Sequence, residues 1–148
     1  MGNYIFSENN KTDGVYIDKV IDGDTVVAKF PDGHKETIRL LGIDTPETHH
    51  PTKPVGCFGP EAETFTRNTL LGKKVKLEYD VEKKDKYSRT LAFIYLGDKR
   101  FNDVLVSQGY AKVMTIEPNT KYSEILVIDQ VNAMKNNKGM WGYCTNDN

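Results

Sequence analysis

Two short acidic segments of the 148-residue chain carry the side chains best suited to chemistry: Asp22-Gly23-Asp24-Thr25 and Asp44-Thr45-Pro46-Glu47-Thr48. Neither contains a cysteine or a histidine, so their donors are carboxylate, hydroxyl and main-chain oxygens. Oxygen-only donors suit a hard divalent cation such as calcium or magnesium, whereas zinc sites draw on sulfur and imidazole. The same strings are also ordinary turn chemistry, since Asp-Gly closes hairpins and Asp-Thr-Pro-Glu caps a turn, and on spacing alone both readings stand. Two arginines add weight to the chemical one. Steps of two from Arg39 reach Thr37, Leu41 and Ile43, which places the guanidinium on the face expected to turn toward the interior, where it needs an anion. Arg89 ends the basic stretch Lys83-Lys84-Asp85-Lys86-Tyr87-Ser88-Arg89. A guanidinium fork matches phosphate oxygens and a neighbouring tyrosine can bond a phosphate or stack a base, although the lysines alone read equally well as a solvated loop.

These residues fall at the ends of predicted elements. Residues 1–13 are polar and read as a flexible leader, followed by a single domain over 14–148. Val15–Ile21, Thr25–Phe30 and Thr37–Ile43 are β-branched and aromatic runs separated by turn residues, which predicts a three-strand meander with the acidic segments at its strand ends. Asp44–Gly59 holds three prolines and reads as a long loop of the kind that carries function. Pro60, Glu61 and Gly72 bracket a helix over 60–71. Val75–Tyr79 and Leu91–Leu96 predict two more strands, Asn102–Gln108 a short helix, and Lys121–Lys138 a third. In that third helix Tyr122, Ile125, Ile128 or Asp129, and Val131 to Met134 are the expected core-facing stripe. Five strands with three α-helices suit a mainly β (α+β) fold, a five-stranded Greek-key barrel of OB type.

The strings Val20–Thr25, Ile38–Thr48, Gly59–Ala62, Asp85–Arg89 and Asn102–Val113 together resemble the signature segments of the thermonuclease (staphylococcal-nuclease-like) family, in the same order. The resemblance spans roughly Val15 to Trp141 and implies a calcium-dependent phosphodiesterase that cuts DNA and RNA and leaves 3′-phosphate ends. By the same resemblance, Asp24, Asp44 and the main-chain oxygen of Thr45 hold the calcium. Glu47 acts as general base or orients water, Arg39 and Arg89 grip the scissile phosphate, and Lys86 and Tyr87 contact a terminal phosphate. Two departures stand out. The family's pair of base-stacking tyrosines gives way to Met114-Thr115-Ile116-Glu117-Pro118, with Tyr122 the nearest substitute, and Ser88 replaces a glycine. The alternative is an OB-fold module that binds nucleic acid or a protein tail without catalysis, against which the complete set Asp24, Arg39, Asp44, Glu47 and Arg89 speaks.

A formal net charge of −1 and a pI of about 6.3 exclude a protein that coats nucleic acid through its overall field, so contact with DNA must be local. No run is apolar enough to span a membrane, and a monomer is expected. Met1 to Asp13 has no apolar signal segment. Cys57 and Cys144 match no zinc motif and read on their own as two thiols. Some bacterial sequences similar to this one carry cysteines at both places, which makes the pair a disulfide candidate. Such a bond would imply a secreted or cell-envelope protein whose leader has been removed, whereas free thiols would leave the cytoplasm open.

Overall fold

The structure, a computed structural model, describes residues 10–144. In chain order its elements are β1 (Lys11–Asp22), β2 (Thr25–Lys29), β3 (Lys35–Leu40), β4 (Ile43–Asp44), α1 (Gly59–Leu70), β5 (Lys74–Glu78), β6 (Thr90–Leu96) and β7 (Lys99–Arg100). There follow α2 (Phe101–Ser107), β8 (Lys112–Val113), α3 (Ser123–Lys135) and a single turn, α4 (Met140–Tyr143). The sheet runs β3-β2-β1-β5-β6-β7, and a parallel pairing of β3 with β6 closes the first five strands into a barrel. This is the five-stranded OB-type barrel with three helices that the strand pattern predicts; the additional strands are two residues long.

The barrel interior follows the period of two. Val15 and Ile17, Val26 and Ala28, Ile38 and Leu40, Val75 and Leu77, and Ala92 and Ile94 are all buried. A bulge between Ile17 and Lys19 resets the phase so that Val20 also points inward. α1 starts with Pro60 in its first turn and buries Ala62, Thr66 and Leu70, one side of the helix, against β1. α2 buries Phe101, Leu105 and Val106 over the end of β6. Among the described residues no helix is long and apolar enough to cross a membrane.

Three expectations need correction. The first strand begins at Lys11, not Val15, because Lys11 and Thr12 pair with Glu78 and Leu77 through backbone bonds that do not depend on side-chain polarity. The predicted leader therefore ends earlier, and its residues 1–9 lie outside the described residues. Next, Ile38 and Leu40 are the inward-facing residues of β3, so Arg39 points away from the barrel interior. Leu41 and Ile43 are buried too, but Leu41 lies in the turn with Gly42, where the alternation breaks, and Ile43 lies beyond it. Finally, α3 buries Leu126 and Ala133, while Ile125, Ile128, Val131 and Met134 are 46%, 60%, 44% and 46% exposed. Apolar residues occupy every side of this helix, so periodicity alone selects no face.

Candidate active site

The β2–β3 register builds the centre of the site. Thr25 pairs with Arg39, and Leu40 N–H donates to Asp24 O at 2.9 Å, which sets the Asp24 carboxylate beside the guanidinium. Asp24 is 6% exposed and fixed by Thr25 Oγ1 at 2.8 Å and by the Thr45 amide at 3.1 Å. Four residues after Arg39 the chain turns back. Arg39 Nη1 donates to Leu40 O at 2.6 Å and Ile43 O at 2.8 Å, and this grip on the turn carries Asp44 to the same guanidinium. Nη2 then lies 3.3 Å from Asp24 Oδ2 and 3.3 Å from Asp44 Oδ1. The expected anionic partner of Arg39 is thus present, on the outer side of the barrel wall.

Negative charge accumulates here. Burial pushes the Asp44 carboxyl above its ordinary value, the charges of Asp24 and Glu47 add to the shift, and Arg39 only partly opposes it. Asp22 is also raised, by burial first and by Asp24 and Glu47 after it, against hydrogen bonds from Thr48 and Gly23. The Thr45 hydroxyl is buried without a hydrogen-bond partner among the described residues. Crowded carboxylates and an orphaned buried oxygen are what a hard cation would relieve. Among the described residues no three His, Cys, Asp or Glu side chains cluster to hold a metal alone. Asp24 and Asp44, both within 3.3 Å of one Arg39 nitrogen, are the carboxylates here that could share a cation with main-chain oxygens and water.

Glu47 sits two residues further along, half-buried, and accepts from the His49 amide at 3.2 Å. Its loop is tied to α1 through His49 Nε2 to Glu63 Oε1 at 2.7 Å and through Thr48 Oγ1, which reaches both Asp22 and Glu63. On the other side of Arg39 opens a cavity of about 520 Å³ that Arg39 shares with Arg89, Lys86 and Tyr87. Asp24, Asp44, Thr45 and Glu47 do not line it; Arg39 is the link between the two halves.

Arg89 is aimed by Asp85, a residue that the sequence reading passed over. One Asp85 oxygen accepts the Tyr87 and Arg89 amides, both at 2.9 Å, and the other accepts Arg89 Nε at 2.8 Å. Burial works against the charged carboxyl of Asp85, but these bonds outweigh it and hold its pKa below the ordinary range. The opposite wall, Met114 to Asn119, is pinned by Asn119, whose amide side chain bonds Glu82 N at 2.8 Å and Glu82 O at 3.0 Å. Asn102, fully buried, bonds Leu41 O at 2.8 Å and Ile94 N at 3.0 Å, and so steadies the turn that delivers Asp44. Asn102 opens the Asn102–Val113 segment, which by itself gives it no role, and nothing in the sequence around Asn119 singles it out.

Tyr122 does not replace the missing base platform. Its ring lies edge-on to Phe93 and under the Arg100 guanidinium at 3.5 Å, and its hydroxyl bonds Glu78 at 2.9 Å. The cavity is lined instead by Leu40, Leu41, Leu91, Met114 and Ile116, with Tyr87 its one aromatic among the described residues. The sulfurs of Cys57 and Cys144 are bonded to each other.

Comparison with known proteins places this arrangement. A family model described as "Staphylococcal nuclease homologue" matches residues 37–143. The chain is 44% identical over 123 residues to a protein named Thermonuclease from Staphylococcus hyicus, covering 83% of this chain and 72% of that one. It is also 44% identical over 125 residues to the Thermonuclease of Staphylococcus intermedius, covering 84% and 74%. Endonuclease YncB of Bacillus subtilis (strain 168) is 36% identical over 137 residues, covering 89% of this chain and 64% of its own length.

Proposed function

This chain belongs to the staphylococcal nuclease homologue family, and on that footing we propose that it is a calcium-dependent endonuclease that cuts DNA and RNA to leave 3′-phosphate ends. Membership carries the coarse activity, hydrolysis of nucleic acid; the metal, the products and the residue roles are our reading. One observation supports it above the rest: Arg39 stands between the Asp24–Asp44 carboxylates and a cavity that Arg89 also lines.

A phosphodiester seated across Arg39 would present its oxygens to the two guanidinium groups. Water attack gathers charge on the equatorial oxygens, so these groups bind the transition state more tightly than the ground state. Calcium held by Asp24, Asp44 and the Thr45 carbonyl would supply further positive charge facing those oxygens. Glu47, on the acidic side of Arg39, orients or deprotonates the attacking water. Lys86 and Tyr87, at the cavity rim, receive a neighbouring phosphate, and the 5′-oxygen departs. With an apolar lining and no aromatic pair, the cavity accepts a base with little stacking. The Cys57–Cys144 bond supports residence in an oxidising compartment, secreted or in the cell envelope.

The test is digestion of single-stranded DNA and of RNA with calcium, magnesium or a chelator, followed by mapping of product ends. Calcium-dependent cleavage to 3′-phosphates, abolished in Asp24→Ala, is expected. Full calcium-dependent activity in Asp24→Ala, or 5′-phosphate products, would sink this reading.

A further inference from the structure

The loop that carries Glu47 has almost no core of its own. Residues 49 to 55 are all exposed, so apart from the Thr48 and His49 bonds to Glu63 its shape is decided at its two ends. One end is the Asp24 and Arg39 cluster already described. The other is a short run, Gly56 to Gly59, that lies flat against the main chain of residues 46 to 48. Gly56 N–H donates to Glu47 O at 2.7 Å, and Gly59 N–H donates to Gly56 O at 2.9 Å. The approach is tight enough that a side chain at either glycine would force its neighbours to shift. A Cβ at Gly56 would stand 3.0 Å from Pro46 Cβ and 3.2 Å from Glu47 N, and one at Gly59 would stand 2.8 Å from Thr48 Cγ2 and 3.0 Å from Glu47 O. This run is therefore the backing on which Glu47 rests.

Cys57 is the residue of that run with a covalent link elsewhere. Its partner Cys144 follows α4, which is docked by Met140, 5% exposed, whose amide donates to Gly109 O at 3.0 Å. Phe58 adds a second, non-covalent hold, with its ring 5.4 Å from Tyr110 and 5.7 Å from Tyr143. Phe58 has φ 73°, in the left-handed region, a conformation that a non-glycine residue keeps only when its surroundings impose it. The bridge at Cys57 and the aromatic contacts of Phe58 are the surroundings that hold it here.

We propose that the Cys57–Cys144 bond is a positioning device for Glu47 and makes turnover sensitive to redox state. The inference rests on the role given to Glu47 above. A dithiol reductant delivers two electrons and two protons, the S–S bond breaks to two thiols, and the reductant leaves as its own disulfide. Gly56–Gly59 then keeps the aromatic contacts of Phe58 and its junction with α1, and the loop keeps the Thr48 and His49 bonds to Glu63, but the covalent tie is lost and the Glu47 main chain gains room to shift against its backing. A displacement of the order of 1 Å at a group that positions water can cost up to about 100-fold in rate. Glu47 acts on the attacking water and not on the bound phosphates, so the loss falls on kcat and leaves KM in place.

The experiment compares oxidised protein, protein reduced with dithiothreitol and the Cys57→Ser/Cys144→Ser variant, at a temperature where circular dichroism shows all three folded. Each is assayed on single-stranded DNA with calcium, alone and combined with Glu47→Gln. Hydrogen exchange is followed at the Gly56 amide. The expected result is a kcat drop of about tenfold or more on reduction, KM within twofold, reversal on reoxidation, and faster exchange at Gly56 while β1 to β3 remain protected. In the Glu47→Gln background reduction should add less than twofold. Unchanged kcat in folded, reduced protein overturns the proposal, as does an equal drop with and without Glu47→Gln. If oxidised Glu47→Gln keeps full kcat, the role of Glu47 fails separately, and unchanged Gly56 exchange would show that the clamp itself is absent.

Discussion

The terminal nitrogens of Arg39 divide two tasks between them. Nη1 is committed to the carbonyls of Leu40 and Ile43, which shape the turn leading to Asp44, and Nη2 faces the carboxylates at 3.3 Å, a weak hold that a phosphate oxygen can displace. Arg39→Ala should lower kcat by about 100-fold or more with the barrel still folded, and Arg39→Lys should recover little, because one ammonium cannot serve both the turn and the substrate. Single-turnover rates with circular dichroism check this, and near-full activity in Arg39→Lys would refute the division of roles. Ser88 offers a milder test. Its φ of 64° is left-handed, where a Cβ costs about 1–2 kcal/mol, but glycine there also loosens the unfolded chain by about 0.4–1 kcal/mol. Ser88→Gly should therefore raise stability by about 0–1.6 kcal/mol and leave kcat within twofold; a denaturant titration showing a clear loss would mean that the hydroxyl matters. At this scale the acids and arginines stand out in the sequence because their local strings resemble the family's segments, while residue type and spacing alone leave an ordinary turn equally open. Asp85, Asn102 and Asn119 do not stand out. Asn102 and Asn119 act through backbone atoms 61 and 37 residues away, and Asp85 works through a fold-dependent turn that residue type alone does not disclose.

Strands and helices were read from periodicity where one face is buried, and the reading failed where periodicity is uninformative. The barrel strands alternate along the stretches that line the interior, with a bulge in β1, and α1 carries a proline in its first turn and a single buried side. α3, apolar on all sides, is instead oriented by polar contacts at its start. Glu78, 1% exposed on β5, accepts from Lys121 Nζ at 2.6 Å, Tyr95 Oη at 2.7 Å and Tyr122 Oη at 2.9 Å, so the entry to α3 is fastened to the barrel by one buried carboxylate. Burial tends to raise this carboxyl, but the bonds from Lys121, Tyr95 and Tyr122 prevail and its pKa falls below the ordinary 4.5. The folded state thus favours the charged form. The stabilisation is complete above the unfolded value and is lost as pH drops through the lower folded one. Glu78→Gln should destabilise the protein by about 1–3 kcal/mol at neutral pH, because glutamine still accepts hydrogen bonds and Lys121 stays half-exposed, with the deficit shrinking below pH 4.5. Urea unfolding at several pH values measures this, and a deficit that is constant down to the acid limit would show that Glu78 is not held charged by the fold.

Across the whole molecule the charges nearly cancel, with 20 basic against 21 acidic residues, so no long-range field draws in a polyanion. Affinity for a single strand must then come from the cations that meet its backbone in the cavity: Arg39, Lys84, Lys86 and Arg89. Each phosphate neutralised on a single strand releases condensed counterions, with a slope of log K against log salt of about −0.7 per contact, and four contacts give about −3. Binding should weaken roughly 60-fold between 50 and 200 mM salt by that slope. Acidic neighbours on the same lining, Glu82, Asp85 and Glu117, lower the local potential without taking phosphates, so they reduce affinity more than slope. Lys86→Ala removes one contact and should bring the slope to about −2. Fluorescence anisotropy of a short labelled oligonucleotide, with a chelator present to prevent cleavage, gives both slopes directly. A slope steeper than about −5, or one unchanged in Lys86→Ala, would place the strand on cations outside the cavity and overturn the assignment of Lys86 as a phosphate contact.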